Sequence, residues 1–448
     1  MAETASKASV RQMGFRAWGI SAGAFLLAHV FTLSSAEAVP SYARQTGQNC
    51  AACHVGSYGP QLTPYGIKFK LEGYTDTDGK SGHVPLSAMA LGTWTHTKAD
   101  QPGGAAIRFD PNDNAALQEV SVFLAGALSE HVGSFIQAGY SGIERRVSMD
   151  NMDVRYANTL AINDKELLWG VTLNNNPTIQ DPFNTLPAWR FPYEGSELAP
   201  TPAASPMIAG LFEHNVLGLT GYVLWDHALY AEFGAYETLP HNTLSGLNLE
   251  DGGRLVHPAP YGRLAYFKDM KKMAFSLGTF AMSASLLPDR QSGPTDGYRD
   301  IGVDASFQYL GTREHVFNLY GSYIHERRNL GASTLNPGST TLDRADLTAS
   351  YHFDQTYGIT LNLFEMHGDA DIDSTGALTS KPDSKGLTIQ ADWTPFGKEG
   401  SWQEPWANVR FGLQYTLYRE FDGVRHDDTT GFDASDNNTV FAFIWTSI

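Results

Sequence analysis

Residues 405–420 read PWANVRFGLQYTLYRE, and this stretch shows most clearly how the chain folds. Apolar side chains fall at alternate positions, namely Val409, Phe411, Leu413, Tyr415 and Leu417. Polar side chains fall between them, at Asn408, Arg410, Gln414 and Thr416. Because successive side chains of a strand point to opposite faces of the sheet, this period of two predicts a β-strand with one apolar and one polar face.

The same alternation recurs from Pro85 to the end of the chain, so the class of this region is all-β. We predict sixteen antiparallel strands, near residues 85–97, 115–128, 131–143, 150–160, 164–175, 214–226, 227–239, 257–268, 271–284, 297–310, 313–327, 341–353, 356–367, 385–396, 405–420 and 437–448. An even number of strands is typical of bacterial outer-membrane barrels.

Tight connections alternate with long ones along these strands, which is a second property of outer-membrane barrels. We therefore predict a transmembrane, porin-like β-barrel over residues 85–448, in contact with outer-membrane lipid. A soluble β-sandwich or propeller would also give many short strands. The Pro-rich stretch 176–213 is compatible with either an outer loop or an inward-folded constriction.

The first 38 residues have the pattern of a secretory signal peptide. Lys7, Arg11 and Arg16 precede an apolar stretch, and the small-residue site Ala36-Glu37-Ala38 follows it. Removal of residues 1–38 takes away three basic and two acidic residues, which changes the net charge from −17 to −18. So acidic a chain does not suit nucleic acid, since phosphate binding needs clustered Lys and Arg.

Residues 50–54 read Cys-Ala-Ala-Cys-His and contain both cysteines of the chain. This spacing lets two thiols add to the two haem vinyl groups while the next imidazole binds the iron. A redox dithiol or half of a zinc site would use the same two cysteines, but each needs further sequence context. We predict one covalent haem c on Cys50 and Cys53, with His54 as an axial iron ligand.

We predict a small monohaem cytochrome domain over residues 39–84. About 45 residues are few for an independent fold, so we expect the haem to act as a staple and the domain to lean on the barrel interior. The sixth iron ligand can be Met, His, water or nothing. His83 is the candidate from the polar stretch before the first strand, whereas Met89 falls inside an apolar strand pattern and has a packing role.

Further short motifs surround the haem motif, and they lie within residues 40–74. They are Pro40-Ser41-Tyr42-Ala43-Arg44-Gln45-Thr46-Gly47, Pro60-Gln61-Leu62, Gly66-Ile67-Lys68-Phe69-Lys70 and Gly73-Tyr74. With them, the chain resembles the fused monohaem cytochrome-porins of the bacterial outer membrane, whose best-known members oxidise extracellular Fe(II). The layout matches over the whole mature chain. Tyr42 stands where the iron oxidisers typically carry Phe, and Ile67 where they often carry Arg.

This resemblance implies that the haem domain enters the barrel from the periplasmic side and plugs the lumen. Electrons would pass by outer-sphere transfer from extracellular Fe(II), or another small reductant, to a periplasmic c-type cytochrome or other electron carrier. No residue would act as a general base or nucleophile. The chain would be an oxidoreductase only in the sense that it transfers electrons from Fe(II). Arg44, Gln45 and Thr46 would make conformational or haem-propionate contacts.

Two other functions use the same features. The barrel could be a solute-conducting porin with a redox-sensitive plug, or the haem could export electrons to an outside acceptor. Acidic residues in the predicted outer loops could concentrate cations such as Fe(II), or could simply be solvated. These residues are Asp369, Asp371, Asp373, Asp427, Asp428, Asp433 and Asp436.

Overall fold

The computed structural model describes residues 39–333, 337–371, 379–398, 400–401, 406–427 and 431–448. The predicted signal peptide, residues 1–38, lies outside the described residues. Within the described part of the chain, no helix is long and apolar enough to cross a membrane.

Sixteen long strands form the main sheet of the described residues, and all sixteen correspond to predicted strands. Their bounds are β1 Leu86–Thr97, β2 Asn114–Ala127, β3 Val132–Ser141, β4 Arg146–Ile162, β5 Lys165–Asn174, β6 Val216–Trp225, β7 Leu229–Thr238, β8 Ala259–Asp269, β9 Met273–Leu287, β10 Asp296–Tyr309, β11 His315–Leu330, β12 Gly338–Phe353, β13 Tyr357–Gly368, β14 Ser384–Trp393, β15 Asn408–Glu420 and β16 Thr439–Ser447.

The sheet closes on itself, because β1 pairs antiparallel with both β2 and β16. The neighbouring strands between them also pair antiparallel. The prediction of a closed sixteen-stranded antiparallel barrel is therefore confirmed. Strand bounds differ most at β4, which begins at Arg146 rather than near residue 150 and leaves a short connection of residues 142–145 after β3.

The two faces of each strand differ as the alternation predicted. On β15, Leu413 and Tyr415 are 54% and 40% exposed, whereas Arg410 and Gln414 are 2% and 3% exposed. Large apolar side chains therefore cover the outside of the barrel and polar side chains line the inside. An outside of this kind is stable only in contact with lipid hydrocarbon, so the barrel is a bacterial outer-membrane protein.

The head, residues 39–84, contains three short helices: α1 Pro40–Thr46, α2 Cys50–Cys53 and α3 Pro64–Leu71. The Asn49 and Thr63 side chains cap α2 and α3 by accepting hydrogen bonds from backbone N–H groups of the first turn. Gly66 lets α3 approach α2 closely, because a Cβ at this position would lie 2.4 Å from the Cys53 carbonyl oxygen.

The head lies inside the barrel, because strands from all around the sheet bind it. The contacts are Tyr42 Oη to the Ser134 carbonyl on β3, Tyr74 Oη to Asp153 on β4, Tyr222 Oη on β6 to the Leu71 carbonyl, Gln308 Nε2 on β10 to the Leu62 carbonyl, and Asn408 Nδ2 on β15 to the Ser57 carbonyl. This short segment thus lies against the barrel interior, which is the position expected from its length.

The inward segment, residues 175–215, also lies in the lumen and connects β5 to β6. Residues 175–186 are buried, and Asp181 lies 3.4 Å from Arg263 of β8 on the barrel wall. Asn184 Nδ2 donates to the Pro60 carbonyl of the head. Of the two interpretations of the Pro-rich stretch, the structure supports the inward-folded constriction.

Candidate functional site

The haem motif forms one turn of helix, α2, in which the His54 N–H donates to the Cys50 carbonyl at 2.9 Å. Ala51 and Ala52 are buried, whereas Cys50, Cys53 and His54 are half-buried. The two alanines therefore pack against protein, while the three residues that could hold a cofactor share the less covered side of the turn. This arrangement fits the two thioether bonds and one axial ligand of a c-type haem.

The imidazole of His54 is suited to bind a metal. Burial and, to a smaller extent, the positive charge of Arg410 together lower the pKa of His54 to about 4, so the ring is neutral at pH 7. A neutral imidazole is the form that ligates metals. Among the described residues, the buried Nδ1 atom of His54 has no hydrogen-bond partner.

The thiol of Cys53 does not have the properties of a redox dithiol. Burial raises the pKa of Cys53 to about 12, and the neighbouring Cys50 raises it too. Such a thiol is protonated at neutral pH, whereas catalytic dithiols depend on a stabilised thiolate. In the described ranges, no group of three or more His, Cys, Asp or Glu side chains is placed to bind a metal ion. Haem attachment itself stays a prediction.

The motif lies at the end of the barrel that carries most of the short connections. Arg313, between β10 and β11, donates from Nη2 to the Ala51 carbonyl at 2.5 Å. Gln355, between β12 and β13, accepts a hydrogen bond from the Gly56 N–H at 2.9 Å. Ser57 donates to the carbonyl of Gly397, between β14 and β15. Three neighbouring connections thus hold the motif at this end.

Two buried side chains of the wall lie against the motif loop, residues 54–59. The ring of His352 on β12 covers Gly56 so closely that a Cβ there would lie 2.4 Å from its Nδ1. Arg410 donates from Nη2 to the Gly56 carbonyl at 3.0 Å. Sequence analysis identified Arg410 only as an inward polar residue and missed His352. The β12 alternation would have placed His352 inside, but not beside the motif.

The other residues singled out in the head have protein partners. Arg44 donates from Nη2 to the carbonyls of Leu86 and Val84, at 2.7 and 3.3 Å. Gln45 Nε2 donates to the carbonyls of Tyr74 and Asp76, and Thr46 Oγ1 donates to the Tyr42 carbonyl. These contacts favour the conformational role for all three, while a propionate contact stays a prediction.

The two candidates for the sixth ligand lie in different surroundings. His83 Nε2 lies 2.9 Å from Asp78 Oδ1 at the end of the head. Met89 is buried in an apolar cluster with Phe123 and Ala125, and its sulfur accepts a hydrogen bond from Trp445 Nε1 at 3.2 Å. The packing role of Met89 is what its strand pattern predicted. Within the part of the chain that the structure describes, no contact ties His83 to the haem motif, and its role stays a prediction.

A buried arginine joins the head, the wall and the inward segment. Arg155 of β4 donates from Nε to Asp153 at 2.8 Å, from Nη1 to the Lys70 carbonyl at 3.3 Å and from Nη2 to the Gln180 carbonyl at 2.5 Å. Lys70 in turn donates from Nζ to the Ile179 carbonyl at 2.7 Å. Burial lowers the pKa of Lys70 to about 7, and the charge of Arg155 lowers it too.

A cavity of about 740 Å³ lies at the opposite end of the barrel, beyond the inward segment. Asp296, Tyr298, Arg328 and Asp371 line it together with residues 203–205 of the inward segment. Arg328 donates to Glu326, to Asp371 at 3.1 Å and to the Ser205 carbonyl at 2.9 Å. The charge of Arg328 is therefore already paired with protein groups.

The acidic residues of the outer loops also have protein partners where the structure describes them. Asp369 accepts hydrogen bonds from Thr341, and Asp371 is buried against Arg328. Asp433 pairs with His426, and Asp436 pairs with Lys98. Asp373, Asp428 and the side chain of Asp427 lie outside the described residues. The acidic residues are thus partly structural.

Comparison with solved structures shows that the fold of this chain is similar to the fold of porins. The outer-membrane channel DcaP of Acinetobacter baumannii is 11% identical with a TM-score of 0.47, and the match covers 83% of this chain and 99% of that one. OprB of Pseudomonas putida is 12% identical with a TM-score of 0.45, covering 81% and 93%. An anion-selective porin from Comamonas acidovorans is 13% identical with a TM-score of 0.41, covering 81% and 98%.

No protein-family model matches this chain, and no curated protein matches it. At such low identities and TM-scores, the similarity to porins carries no inference about what this barrel binds or transports. The barrel class rests on the strand pairing and on the apolar outside described above.

Proposed function

We propose that this chain is an outer-membrane electron-transfer protein of the fused cytochrome-porin kind, with one c-type haem held by a head inside the barrel. The observation that carries the proposal is the side shared by Cys50, Cys53 and His54, which stay half-buried while the alanines between them are packed away. An exported chain reaches the compartment in which c-type haem is attached.

In this proposal Cys50 and Cys53 form the thioether bonds, and His54 supplies a neutral nitrogen to the iron. The bound haem would supply one-electron exchange, taking one electron from each Fe(II) oxidised outside the cell and giving it to a periplasmic c-type cytochrome or other carrier. The rest of the chain positions this group and excludes water around it. His83 is the candidate for the sixth ligand.

The orientation follows from the connections. Short connections face the periplasm in outer-membrane barrels, so the haem motif would lie at the periplasmic mouth, within reach of a soluble carrier. The cavity at the other end would then open to the outside, where Fe(II) or another small reductant arrives. The inward segment between them would separate the solvent on the two sides of the membrane while electrons cross the barrel.

The test is to express the full chain with haem-maturation proteins, isolate outer membranes and add Fe(II) without oxygen to the oxidised sample. Prompt appearance of the reduced haem spectrum, absent in Cys53→Ala, is the expected result. A haem that dithionite reduces but Fe(II) does not would overturn Fe(II) as the donor. It would direct the search to another donor or to electron export.

A second candidate, a solute-conducting porin with a redox-sensitive plug, is favoured by the polar lining of the lumen. Asn362, Gln390 and Gln414 point inward from neighbouring strands and are 2–3% exposed. Conductance in planar bilayers separates the two functions. A pore that stays closed with oxidised and with reduced haem favours electron transfer, whereas a pore that opens on reduction favours the gated channel.

A further inference from the structure

The barrel wall holds the loop that follows the haem motif by several hydrogen bonds. The Gly56 N–H donates to Gln355 Oε1 at 2.9 Å, and the Gly56 carbonyl accepts from Arg410. The Ser57 carbonyl accepts from Asn408 Nδ2 at 2.8 Å. The Tyr58 hydroxyl donates to the Trp445 carbonyl at 2.9 Å. The backbone directly after His54 is therefore fixed by β15, β16 and the short connections.

Arg410 occupies the centre of this contact and is 2% exposed. Its guanidinium carbon lies 5.2 Å from the centre of the Tyr58 ring. Its Nη1 would lie 3.4 Å from a Cβ at Gly59. Through the hydrogen bond to Gly56 and these two contacts, one positive charge lies close to both ends of residues 56–59.

Among the described residues, Arg410 forms an ion pair with Asp392 but has no hydrogen bond to it. Asp392 Oδ2 on β14 lies 3.7 Å from Arg410 Nε, and Nε donates instead to Thr394 Oγ1 at 3.3 Å. The Asp392 side chain accepts a hydrogen bond from Gln390 Nε2 at 3.1 Å. Both charged groups are buried, so water and salt screen their fields less than they screen charges at the surface.

We propose that Arg410 is a positioning residue for His54 and, with Asp392, sets the redox potential of the haem. This rests on the proposed function, because it requires a haem on Cys50 and Cys53. Oxidised haem carries one more positive charge than reduced haem. A fixed guanidinium beside the motif loop therefore favours the reduced form and raises the midpoint potential, while a fixed carboxylate lowers it.

The role of a wall residue explains why so small a head needs the barrel. A head held by its own contacts could place its iron at any depth in the lumen and with any charge around it. Here the same guanidinium both contacts the loop and supplies charge, so one side chain contributes to the position of the haem and to its potential. The barrel thus becomes part of the redox centre.

The test is a spectroelectrochemical titration of the full chain, matured with haem, in four variants. Arg410→Gln is expected to lower the midpoint potential, and Asp392→Asn is expected to raise it. Arg410→Lys keeps the charge and is expected to stay nearer to the wild type than Arg410→Gln. Arg344→Gln is the matched control, since Arg344 is a wall arginine whose contacts are with Asp346, and it is expected to leave the potential unchanged.

Opposite shifts in the two charge variants distinguish this role from a purely structural one, because loosening of the loop would move both potentials in the same direction. Equal potentials in wild type, Arg410→Gln and Asp392→Asn, or shifts of the same sign, would overturn the inference. If Arg410→Gln does not mature, Asp392→Asn still tests the effect of charge, since an unchanged or lowered potential in that variant would overturn the inference. A wild-type chain without haem would instead refute the proposed function.

Discussion

Arg155 of the barrel wall donates a hydrogen bond to the backbone carbonyl of Lys70, 3.3 Å away, and so ties strand β4 to the last helix of the head. The same guanidinium pairs with Asp153 and reaches the inward segment. None of these groups is exposed to water. One side chain therefore holds together the three layers that fill the barrel.

Replacing Arg155 with Met should release the head. Loss of one partner from a buried ion pair costs about 3–5 kcal/mol, because the remaining charge of Asp153 stays buried without compensation. We expect protease to cleave the head of Arg155→Met at a lower temperature than that of the wild type. Arg146→Met removes an exposed pair with Glu144 and is the control. Equal resistance of both variants would show that Arg155 does not anchor the head.

Asp181 should keep the lumen closed. Its carboxylate accepts hydrogen bonds from the backbone N–H groups of Phe183, Thr185 and Leu186, and it faces Arg263. We expect Asp181→Ala to disorder this part of the inward segment and to raise single-channel conductance in planar bilayers. The wild type should conduct weakly under the same conditions. A wild type that already conducts like an open porin would contradict this account of the lumen.

Gly56 should tolerate no side chain. Its φ is +68°, where an L-residue costs about 1–2 kcal/mol, and His352 occupies the position of a Cβ. We expect Gly56→Ala to reduce the yield of covalent haem and the thermal stability of the head. The control is Gly92→Ala, since a Cβ at Gly92 meets nothing within 4 Å. Adding His352→Ala to Gly56→Ala should restore part of the haem yield and of the thermal stability. The second substitution removes the steric clash but not the backbone strain.

The buried Lys70 should make stability depend on pH. Burial lowers its pKa to about 7 in the folded protein, whereas an unfolded lysine titrates near 10.4. Between about pH 7 and pH 10 the unfolded state binds one more proton, so stability rises with pH in that window and is flat below it. The melting temperature of the wild type relative to Lys70→Met should therefore increase from about pH 7 to pH 9.

The control for this pH effect is Lys68→Met, on the same helix. Lys68 is exposed and pairs with Glu72 at 3.5 Å. The difference between wild type and Lys68→Met should not change across the same window. A parallel change in both variants would assign the pH effect to other groups.

The barrel could be predicted from sequence because its signal is local. Each strand carries an alternation of apolar and polar residues, for example Leu387, Ile389 and Ala391 against Thr388 and Gln390. A lipid-facing surface requires this alternation. The inward segment has no such period. Its path depends on distant partners such as Arg263, and the sequence left two interpretations open.

The candidate site could be predicted only in part. The spacing of Cys50, Cys53 and His54 predicts a haem-binding motif, because both thiols and the imidazole belong to one turn. His352 and Arg410 lie about 300 and 350 positions later in the chain, and only barrel closure brings them to the motif. These contacts join distant parts of the chain, so they produce no recognisable spacing of residues in the sequence. Neither residue could therefore be assigned to the site in advance.

The most direct measurement is the covalent haem content of the purified full chain, produced in cells that carry haem-maturation proteins. We predict one haem per chain that resists extraction with acidified acetone. We also predict loss of that haem in a Cys50→Ala, Cys53→Ala double variant whose barrel still assembles in the outer membrane. A folded wild-type barrel without covalent haem would contradict the electron-transfer function and leave the porin.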